Sequence, residues 1–280
     1  MKKLSLFGAI ALVLGLSACT KTQEPQSGEL VKVTFNVAAL GVDVEPMTKS
    51  SVNASDGLTR IDYMLIGNSG TKSGTQTIAE NPDDFGTIEL WLSPGTYTAQ
   101  IAGFAGNDGM IDKSGSDYYI YADNTDTFFY KQSLTIDTGN SYNIQLERLT
   151  GQLIIDITDE SVSNEIKGYS VGFSPYINYF IKNGLSMSSS RLTKTINVQD
   201  GAFPDFTYFM FQPPVDNVTE LTISLIASDN SVLGQTIVGY KIYQNKKTII
   251  RGNILDVITQ KGLTITYNDE WGTDVIVPLQ

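Results

Sequence analysis

Short stretches in which apolar and polar residues alternate recur along most of the sequence. Residues 31–37 show the pattern most clearly, because Val31, Val33, Phe35 and Val37 would share one face of a strand and the polar residues between them the other. No stretch sustains the period of about 3.6 residues that marks a long amphipathic helix. The pattern therefore predicts an all-β protein.

Further strand candidates follow this first strand, and turn-forming residues separate them. The turn Ser93-Pro94-Gly95 predicts a hairpin between residues 87–92 and 96–102. Many short strands with glycine-rich turns favour an antiparallel β-sandwich. The remaining strand candidates are residues 61–66, 118–121, 133–137, 142–146, 152–157, 169–173, 192–198, 207–211, 221–227, 235–242, 247–256, 263–267 and 274–279.

The strand pattern restarts at Gln152, after the junction Arg148-Leu149-Thr150-Gly151. A chain of about 260 residues can bury one large core or two ordinary ones. We therefore predict two domains, an N-terminal one over residues 31–149 and a C-terminal one over residues 150–280.

Residues 41–59 contain Pro46, Gly57 and several polar residues, chiefly serine, threonine and aspartate, and this composition predicts a long exposed loop. Lys49 and Arg60 are the basic residues between the first strand and the next. A basic residue in such a loop is open to a trypsin-like protease. A solvated charge with no processing role is the alternative for Lys49.

The N-terminus has the pattern of an export signal. Lys2 and Lys3 precede the apolar run 4–16, which is too short to span a bilayer stably. The sequence Leu16-Ser17-Ala18-Cys19 has the form of a bacterial lipobox, so we predict a signal peptide over residues 1–18. Cys19 would then be acylated, with palmitate among its acyl chains, and the lipid would attach the protein to the outer membrane. Residues 19–30 would form a flexible tether. The alternative is an ordinary signal peptide with an incidental cysteine.

The composition argues against catalysis and nucleic-acid binding. The sequence has no histidine and one cysteine, so Ser-His-Asp, Cys-His and ordinary zinc sites lack their central residues. The net charge is −11, and loss of Lys2 and Lys3 with the signal peptide makes it −13. Such an acidic chain is a poor partner for nucleic acid. We expect no enzyme activity, no cofactor and no metal site.

Two further groups of residues have an alternative interpretation. Residues 107–117 gather aspartates and glycines, but their spacing differs from the Asp-x-Asp-x-Asp-Gly pattern, so a solvated loop is favoured over a calcium loop. A set of aromatic residues could stack on sugar rings, although such residues more often pack across strands. This set comprises Tyr118, Tyr119, Tyr121, Phe128, Phe129, Tyr130, Tyr176, Tyr179 and Phe180.

Several motifs follow one another in a fixed order over nearly the whole mature chain. They are the lipobox at Cys19, the strand 31–37, the Thr48-Lys49 loop, the strand 61–66, the segment 92–97 before Ala102-Gly103, the junction 146–153, Arg251-Gly252-Asn253, and the ending Asn268-Asp269-Glu270-Trp271. Taken together and in this order, they resemble the Bacteroidales fimbrillin and fimbrial-anchor family of type V pilus subunits.

The resemblance implies two tandem transthyretin-like antiparallel sandwich domains and a role in pilus assembly and adhesion. In that family, subunits travel as lipoproteins, a protease cuts after the first strand, and a neighbouring subunit's strand fills the groove. Mapped here, Val31, Val33, Phe35 and Val37 would plug the groove, and Lys49 or Arg60 would be cut. The donor strand would be the final segment, with its apolar residues on one face. Those residues are Val275, Val277 and Leu279.

These expectations leave the role within the pilus open between anchor, tip and stalk. The partners would be other fimbrial subunits, the outer membrane through Cys19, and a host or bacterial surface ligand. The first strand 31–37 could also be permanent, and the final segment could be an ordinary core strand. The alternative function is that of a monomeric glycan-binding surface lipoprotein.

Overall fold

A computed structural model describes residues 29–40, 51–53, 57–106, 108–159, 162–214, 218–255, 264–268 and 275–277. This part of the chain consists of strands and connecting turns, and it contains no helix long and apolar enough to cross a membrane. The prediction of an all-β fold is confirmed. The strands are β1 (Val31–Leu40), β2 (Ser51–Asn53), β3 (Arg60–Gly67), β4 (Gly70–Thr77), β5 (Thr87–Leu92), β6 (Gly95–Ala105), β7 (Gly109–Ser114), β8 (Asp117–Ala122), β9 (Asp126–Ile136), β10 (Ser141–Arg148), β11 (Thr150–Ile157), β12 (Ile166–Phe173), β13 (Tyr176–Phe180), β14 (Leu185–Ser188), β15 (Leu192–Asn197), β16 (Phe206–Phe211), β17 (Thr219–Ala227), β18 (Val232–Tyr240), β19 (Lys247–Gly252), β20 (Thr264–Asn268) and β21 (Val275–Val277).

Eight strands of the N-terminal half form one sheet that folds over on itself. Its order is β2-β1-β10-β9-β6-β3-β4, and β5 also pairs with β1. Strands β10 and β9 share only the pairs Glu147–Phe129 and Arg148–Phe128, so the sheet bends there into two layers. One core joins both layers, because side chains of β1 and β5 pack with side chains of β3 and β6.

The hairpin predicted around Ser93-Pro94-Gly95 is wrong. Strand β5 pairs with β1, whereas β6 pairs with β3 and β9. The chain therefore crosses between layers at this turn, and the Tyr97 hydroxyl donates to the Ser93 carbonyl at 2.9 Å across it. Leu92 and Tyr97 are both buried in the shared core, so burial on either side of the turn decides the path.

The C-terminal half has two facing sheets. One has the order β16-β11-β19-β20-β21 and the other β15-β12-β17-β18. Their inner faces share a core that includes Leu153, Tyr169, Val171, Tyr208 and Ile223, all almost fully buried. Strand β11 pairs parallel to β19, as β1 pairs parallel to β10, so neither half is purely antiparallel.

A fourth sheet takes strands from both halves, in the order β14-β13-β8-β7. It corrects the interpretation of residues 107–117 as a loop, because Gly109–Ser114 and Asp117–Ala122 form a paired hairpin with Gly115 in the left-handed region (φ 61°). Behind it, Ile120, Phe104 and Phe211 form a third small core. The boundary at residue 149 stays a prediction, since this sheet crosses it.

The junction between β10 and β11 is held by a buried ion pair. Arg148 Nη2 lies 2.9 Å from Asp126 Oδ2, Arg148 Nε donates to both Asp126 oxygens at 3.0 Å, and Thr150 Oγ1 donates to Asp126 Oδ1 at 2.8 Å. The guanidinium also lies 5.0 Å from the Phe128 ring centroid. Removing one member of such a pair leaves an uncompensated buried charge, so the pair acts as a clamp that holds the end of β10 and the start of β11 in place.

The predicted exposed loop 41–59 is wrong in part. Residues 51–53 form β2 and pair with residues 38–40 of β1. Leu58 is buried in the N-terminal core. The polar composition concealed both features, because neither a three-residue strand nor one buried leucine produces an alternating pattern.

Candidate functional site

Strand β1 has neighbours on both sides and is not an edge strand. Its first part pairs antiparallel with β5, from Val31 opposite Leu92 to Asn36 opposite Thr87. On its other side it pairs parallel with β10, from Thr34 opposite Ser141 to Ala39 opposite Leu146. Removing β1 would therefore leave a groove with unpaired main-chain groups along both walls.

The side chains predicted to plug this groove point into the core. Val33, Phe35 and Val37 are 0%, 1% and 6% exposed, and Val31 is half-buried at the end of the strand. Burying each such side chain contributes about 1.5–3 kcal/mol. Most of what β1 adds to the core therefore comes from alternate apolar residues, as the sequence predicts.

Side chains of β1 contact side chains of β10 on both faces of the sheet. The Phe35 ring stacks on the Tyr142 ring at 5.5 Å between centroids and 21° between planes. On the outer face, Asn36 Nδ2 donates to Ser141 Oγ at 3.0 Å and to Asn143 Oδ1 at 3.2 Å. These contacts tie β1 to β10 on both faces of the sheet.

An open cavity of about 560 Å³ lies at the start of β1. Leu30, Val31, Trp91 and Asn140 line it together with neighbouring residues. Trp91 is 60% exposed and Leu30 is 52% exposed. A strand longer than β1 could place a further apolar side chain here. The alternation in residues 87–92 puts Trp91 on the same face as Thr87 and Glu89, opposite the buried Ile88 and Leu92.

The two candidate processing residues differ in what the structure shows. Lys49 lies outside the described residues, as does the candidate lipidation residue Cys19. Arg60 begins β3, where it is paired with Thr77 of β4 and Phe104 of β6, and its Nε lies 2.8 Å from Asp62 Oδ1. Proteases bind extended, unpaired backbone, so the pairing of Arg60 on both sides disfavours cleavage after it.

The candidate donor strand is only partly described. Val275 and Val277 lie in β21, which pairs antiparallel with β20 at the end of the five-stranded sheet. Val275 is opposite Tyr267 and Val277 opposite Ile265, while Leu279 lies outside the described residues. The segment thus lies at a sheet edge, paired through three residues only.

The aromatic set divides between the two faces of the mixed sheet. Tyr118 and Tyr179 face inward and pack on the third core. Tyr119, Tyr121 and Phe180 are half-buried on the opposite face, where the Tyr119 and Phe180 ring centroids are 6.0 Å apart. Strand pairing between β8 and β13 brings these rings together from positions about sixty residues apart in sequence, which no local pattern predicts.

The other members of the aromatic set serve structural roles. Phe128 is fully buried in the N-terminal core, where Tyr130 packs at its margin, and the Phe129 ring lies 6.3 Å from Tyr179. Tyr176 packs at the margin of the third core. For these members, packing across strands is the interpretation that the contacts favour.

A carboxylate lies at the edge of the outward aromatic face. Asp112 accepts the Lys113 amide at 2.7 Å and the Tyr119 hydroxyl at 2.8 Å. These donors, the Lys113 amide first, lower the pKa of Asp112, and the bond to Asp112 raises the pKa of Tyr119. Among the described residues, no group of three or more acidic, cysteine or histidine side chains could hold a metal ion.

Solved structures with the same fold come from Bacteroidales surface proteins. A candidate adhesin from Bacteroides thetaiotaomicron has a TM-score of 0.58 and 10% identity, over 92% of this chain and 100% of that chain. A candidate polysaccharide-binding protein from the same organism has a TM-score of 0.56 and 10% identity, over 89% and 98%. The fimbrial anchor protein Mfa2 from Porphyromonas gingivalis has a TM-score of 0.51 and 10% identity, over 90% and 100%.

No protein-family model and no curated protein sequence matches this chain. At 10% identity, the structural likeness establishes a shared fold and nothing finer. The chain therefore has the β-sandwich fold of these adhesin and fimbrial-anchor structures over nearly its whole length, as the sequence resemblance implied.

Proposed function

We propose that this protein is a fimbrial subunit or anchor at the bacterial surface, which supports adhesion and assembles with other fimbrial subunits by β-strand addition. The observation that carries the proposal is the position of β1 between β5 and β10, with Val33, Phe35 and Val37 buried. A strand with two partners and alternate apolar side chains fits the chemistry of strand exchange, in which main-chain bonds supply affinity and side-chain pockets supply specificity.

The connection of β1 to the rest of the fold supports an exchange mechanism. Lys49 lies between β1 and β2, so cleavage there would cut the covalent connection between β1 and all later strands. Cleavage after Arg60 would also release β2, but that bond lies within a strand paired on both sides. Lys49 is therefore the processing residue we propose. An uncut protein would keep β1 and act as an anchor.

The lipid on Cys19 belongs to the same proposal. Nine residues lie between Cys19 and Glu29, so ten residue steps separate the two, and a fully extended chain of that length spans at most about 33–36 Å. The folded part could thus stand clear of the outer membrane while β1 remains in place. Cleavage after Lys49 would release the fold from both the lipid and β1.

The test is mass spectrometry of filaments sheared from the surface of the producing cells. We expect fragments that begin at Ser50 in filaments and an acylated Cys19 in the membrane fraction. The Lys49→Gln variant should keep β1 and remain in the membrane fraction, whereas the control Lys72→Gln on β4 should behave as wild type. Chains found only as unattached monomers, with neither filament nor membrane association, would contradict the proposal.

A glycan-binding surface lipoprotein is the second candidate, because Tyr119, Tyr121 and Phe180 share one half-exposed face beside Asp112 and Asn178. Aromatic rings with adjacent polar groups can stack on sugars. In affinity electrophoresis with surface polysaccharides, Tyr119→Ala and Phe180→Ala should then abolish retardation. Trp91→Ala, which removes an exposed aromatic residue elsewhere, is the matched control.

A further inference from the structure

Strand β18 lies at the end of the sheet β15-β12-β17-β18 and pairs with β17 on one side. No described strand pairs with its other side, so within the described part of the chain this side of β18 is an open sheet edge. Val232, Leu233 and Ile237 are 57%, 45% and 61% exposed along it. Val218, just before β17, is 60% exposed and extends the same apolar surface.

Most other described edges carry a feature that discourages strand addition. Lys72 lies on β4, Lys194 on β15 and Lys113 on β7. Strands β2, β14 and β21 have three or four residues each. Charges and short length are the usual means of protecting an edge.

Strand β16 is covered differently. The Phe209 amide donates to Asn124 Oδ1 at 3.0 Å, and Pro213 and Pro214 follow the strand closely. The Tyr208 hydroxyl also donates to Asp123. Residues of the N-terminal half therefore occupy this edge.

Strand β18 lacks these protections. Its nine residues, Val-Leu-Gly-Gln-Thr-Ile-Val-Gly-Tyr, include no charge and no proline. A long, uncharged edge with exposed apolar side chains is a template for another strand. This edge is unusual in a chain whose net charge is −11.

The charges around β18 favour a second copy of the same chain as the partner. Two copies of such an acidic protein repel each other over most of their surface, so self-association is favoured at a contact strand without acidic residues. The strand itself carries none, Asp229 lies just before it, and Lys241 follows directly. Antiparallel pairing of two β18 strands would bring the Asp229 end of one copy to the Lys241 end of the other.

We propose that β18 pairs antiparallel with β18 of a second copy around a two-fold axis. The two four-stranded sheets then join into one continuous sheet, and exposed side chains of β18 gain cross-strand neighbours on the partner copy. Such an isologous contact closes as a dimer. It uses no part of the β1 groove, so it adds a lateral contact between subunits that is independent of strand exchange.

Sedimentation velocity over a range of concentrations tests this pairing, with lipid-free Cys19→Ser protein as the background. We expect a monomer–dimer equilibrium that Ile237→Glu weakens at least about tenfold, by placing like charges near the axis. Thr195→Glu makes the same charge change on the exposed face of β15 at the opposite edge of the sheet, and it should leave the equilibrium unchanged.

A disulfide trap locates the contact. In the Cys19→Ser background an introduced cysteine is the only one in the chain. Gln235→Cys, Thr236→Cys or Ile237→Cys should give an intermolecular disulfide under mild oxidation, and Thr195→Cys should give none. A protein that is monomeric at all concentrations would overturn the proposal. So would a dimer that Ile237→Glu leaves intact, or one that Thr195→Glu weakens equally.

Discussion

Strands β1 and β11 hold equivalent positions in the two halves of the molecule. Each lies between an antiparallel neighbour and a parallel one: β1 between β5 and β10, and β11 between β16 and β19. Each buries alternate apolar side chains, Val33 and Phe35 in one case and Leu153 and Ile155 in the other. Both strands are therefore central in their sheets, and each fills the space between two neighbouring strands.

The difference lies in how the chain connects them. Strand β11 follows β10 after Leu149 alone, and the buried Arg148–Asp126 pair and Thr150 clamp that junction. Strand β1 is followed by a segment of about ten residues before β2, and Lys49 lies in it. In the proposed exchange, the connections of β1 and not its packing distinguish it from β11, since the packing of the two strands is alike.

The largest effect on the free energy of unfolding is expected when a core side chain of β1 or β11 is truncated. Phe35→Ala should lower the free energy of unfolding by about 3–5 kcal/mol, and Ile155→Ala by about 2–5 kcal/mol, because each leaves a cavity in a dry core. Urea denaturation followed by far-UV circular dichroism measures both. If Phe35→Ala cost less than about 1 kcal/mol, β1 would not be a packed member of the fold.

Breaking the clamp at β11 should have an effect of similar size. Arg148→Ala leaves Asp126 buried without its main partner, which costs about 3–5 kcal/mol. The matched control is Arg251→Ala, because Arg251 Nε lies 2.6 Å from Asp156 Oδ2 at an exposed position and should contribute about 0–1 kcal/mol. Equal losses in the two variants, measured by urea denaturation, would show that the junction is not specially fixed.

The stack between β1 and β10 gives a smaller contrast. Tyr142→Leu keeps an apolar side chain beside Phe35 but removes the ring contact, so we expect a loss of about 0.5–1.5 kcal/mol. A double-mutant cycle with Phe35→Leu isolates the coupling between the two rings. A coupling energy close to zero would mean that Phe35 and Tyr142 contribute through their volume and not through contact between their aromatic rings.

The smallest effect is expected at the solvent-facing side of β1. Lys32 Nζ lies 2.8 Å from Glu89 Oε1, and both side chains are about half exposed, so Lys32→Gln should change the free energy of unfolding by at most about 1 kcal/mol. Thermal denaturation at low and high salt measures it. A larger loss would mean that β1 is held in place mainly by its charges, and not by the burial of Val33, Phe35 and Val37.

The sequence predicted the strands in which apolar and polar residues alternate, such as β1 and β5, because that pattern reports burial directly. It did not predict β4, whose residues are Gly, Thr, Lys, Ser and Gln and which exists because the hairpin with β3 pairs its backbone. Residues 109–114 were missed for the same reason. Backbone pairing leaves no trace in the pattern of polar side chains.

The sequence also did not predict which strands pair with one another. The run 235–242 predicted β18, yet nothing in its alternation shows that one side of it lacks a partner. The pairing of β8 with β13, which creates the outward aromatic face, joins segments from the two halves of the chain. Local alternation specifies which face of a strand is buried, and long-range packing specifies its neighbours.

Exchange of β1 in the cut protein tests the central claim most directly. After limited proteolysis at Lys49, a fluorescent peptide of residues 29–40 is added in urea below the unfolding midpoint, and its binding is followed by fluorescence anisotropy. The account predicts that the peptide enters the groove and displaces the β1 fragment, while a Phe35→Asp peptide does neither and uncut Lys49→Gln protein binds neither peptide. Equal binding of the two peptides, or a cut protein that never exchanges β1, would contradict it.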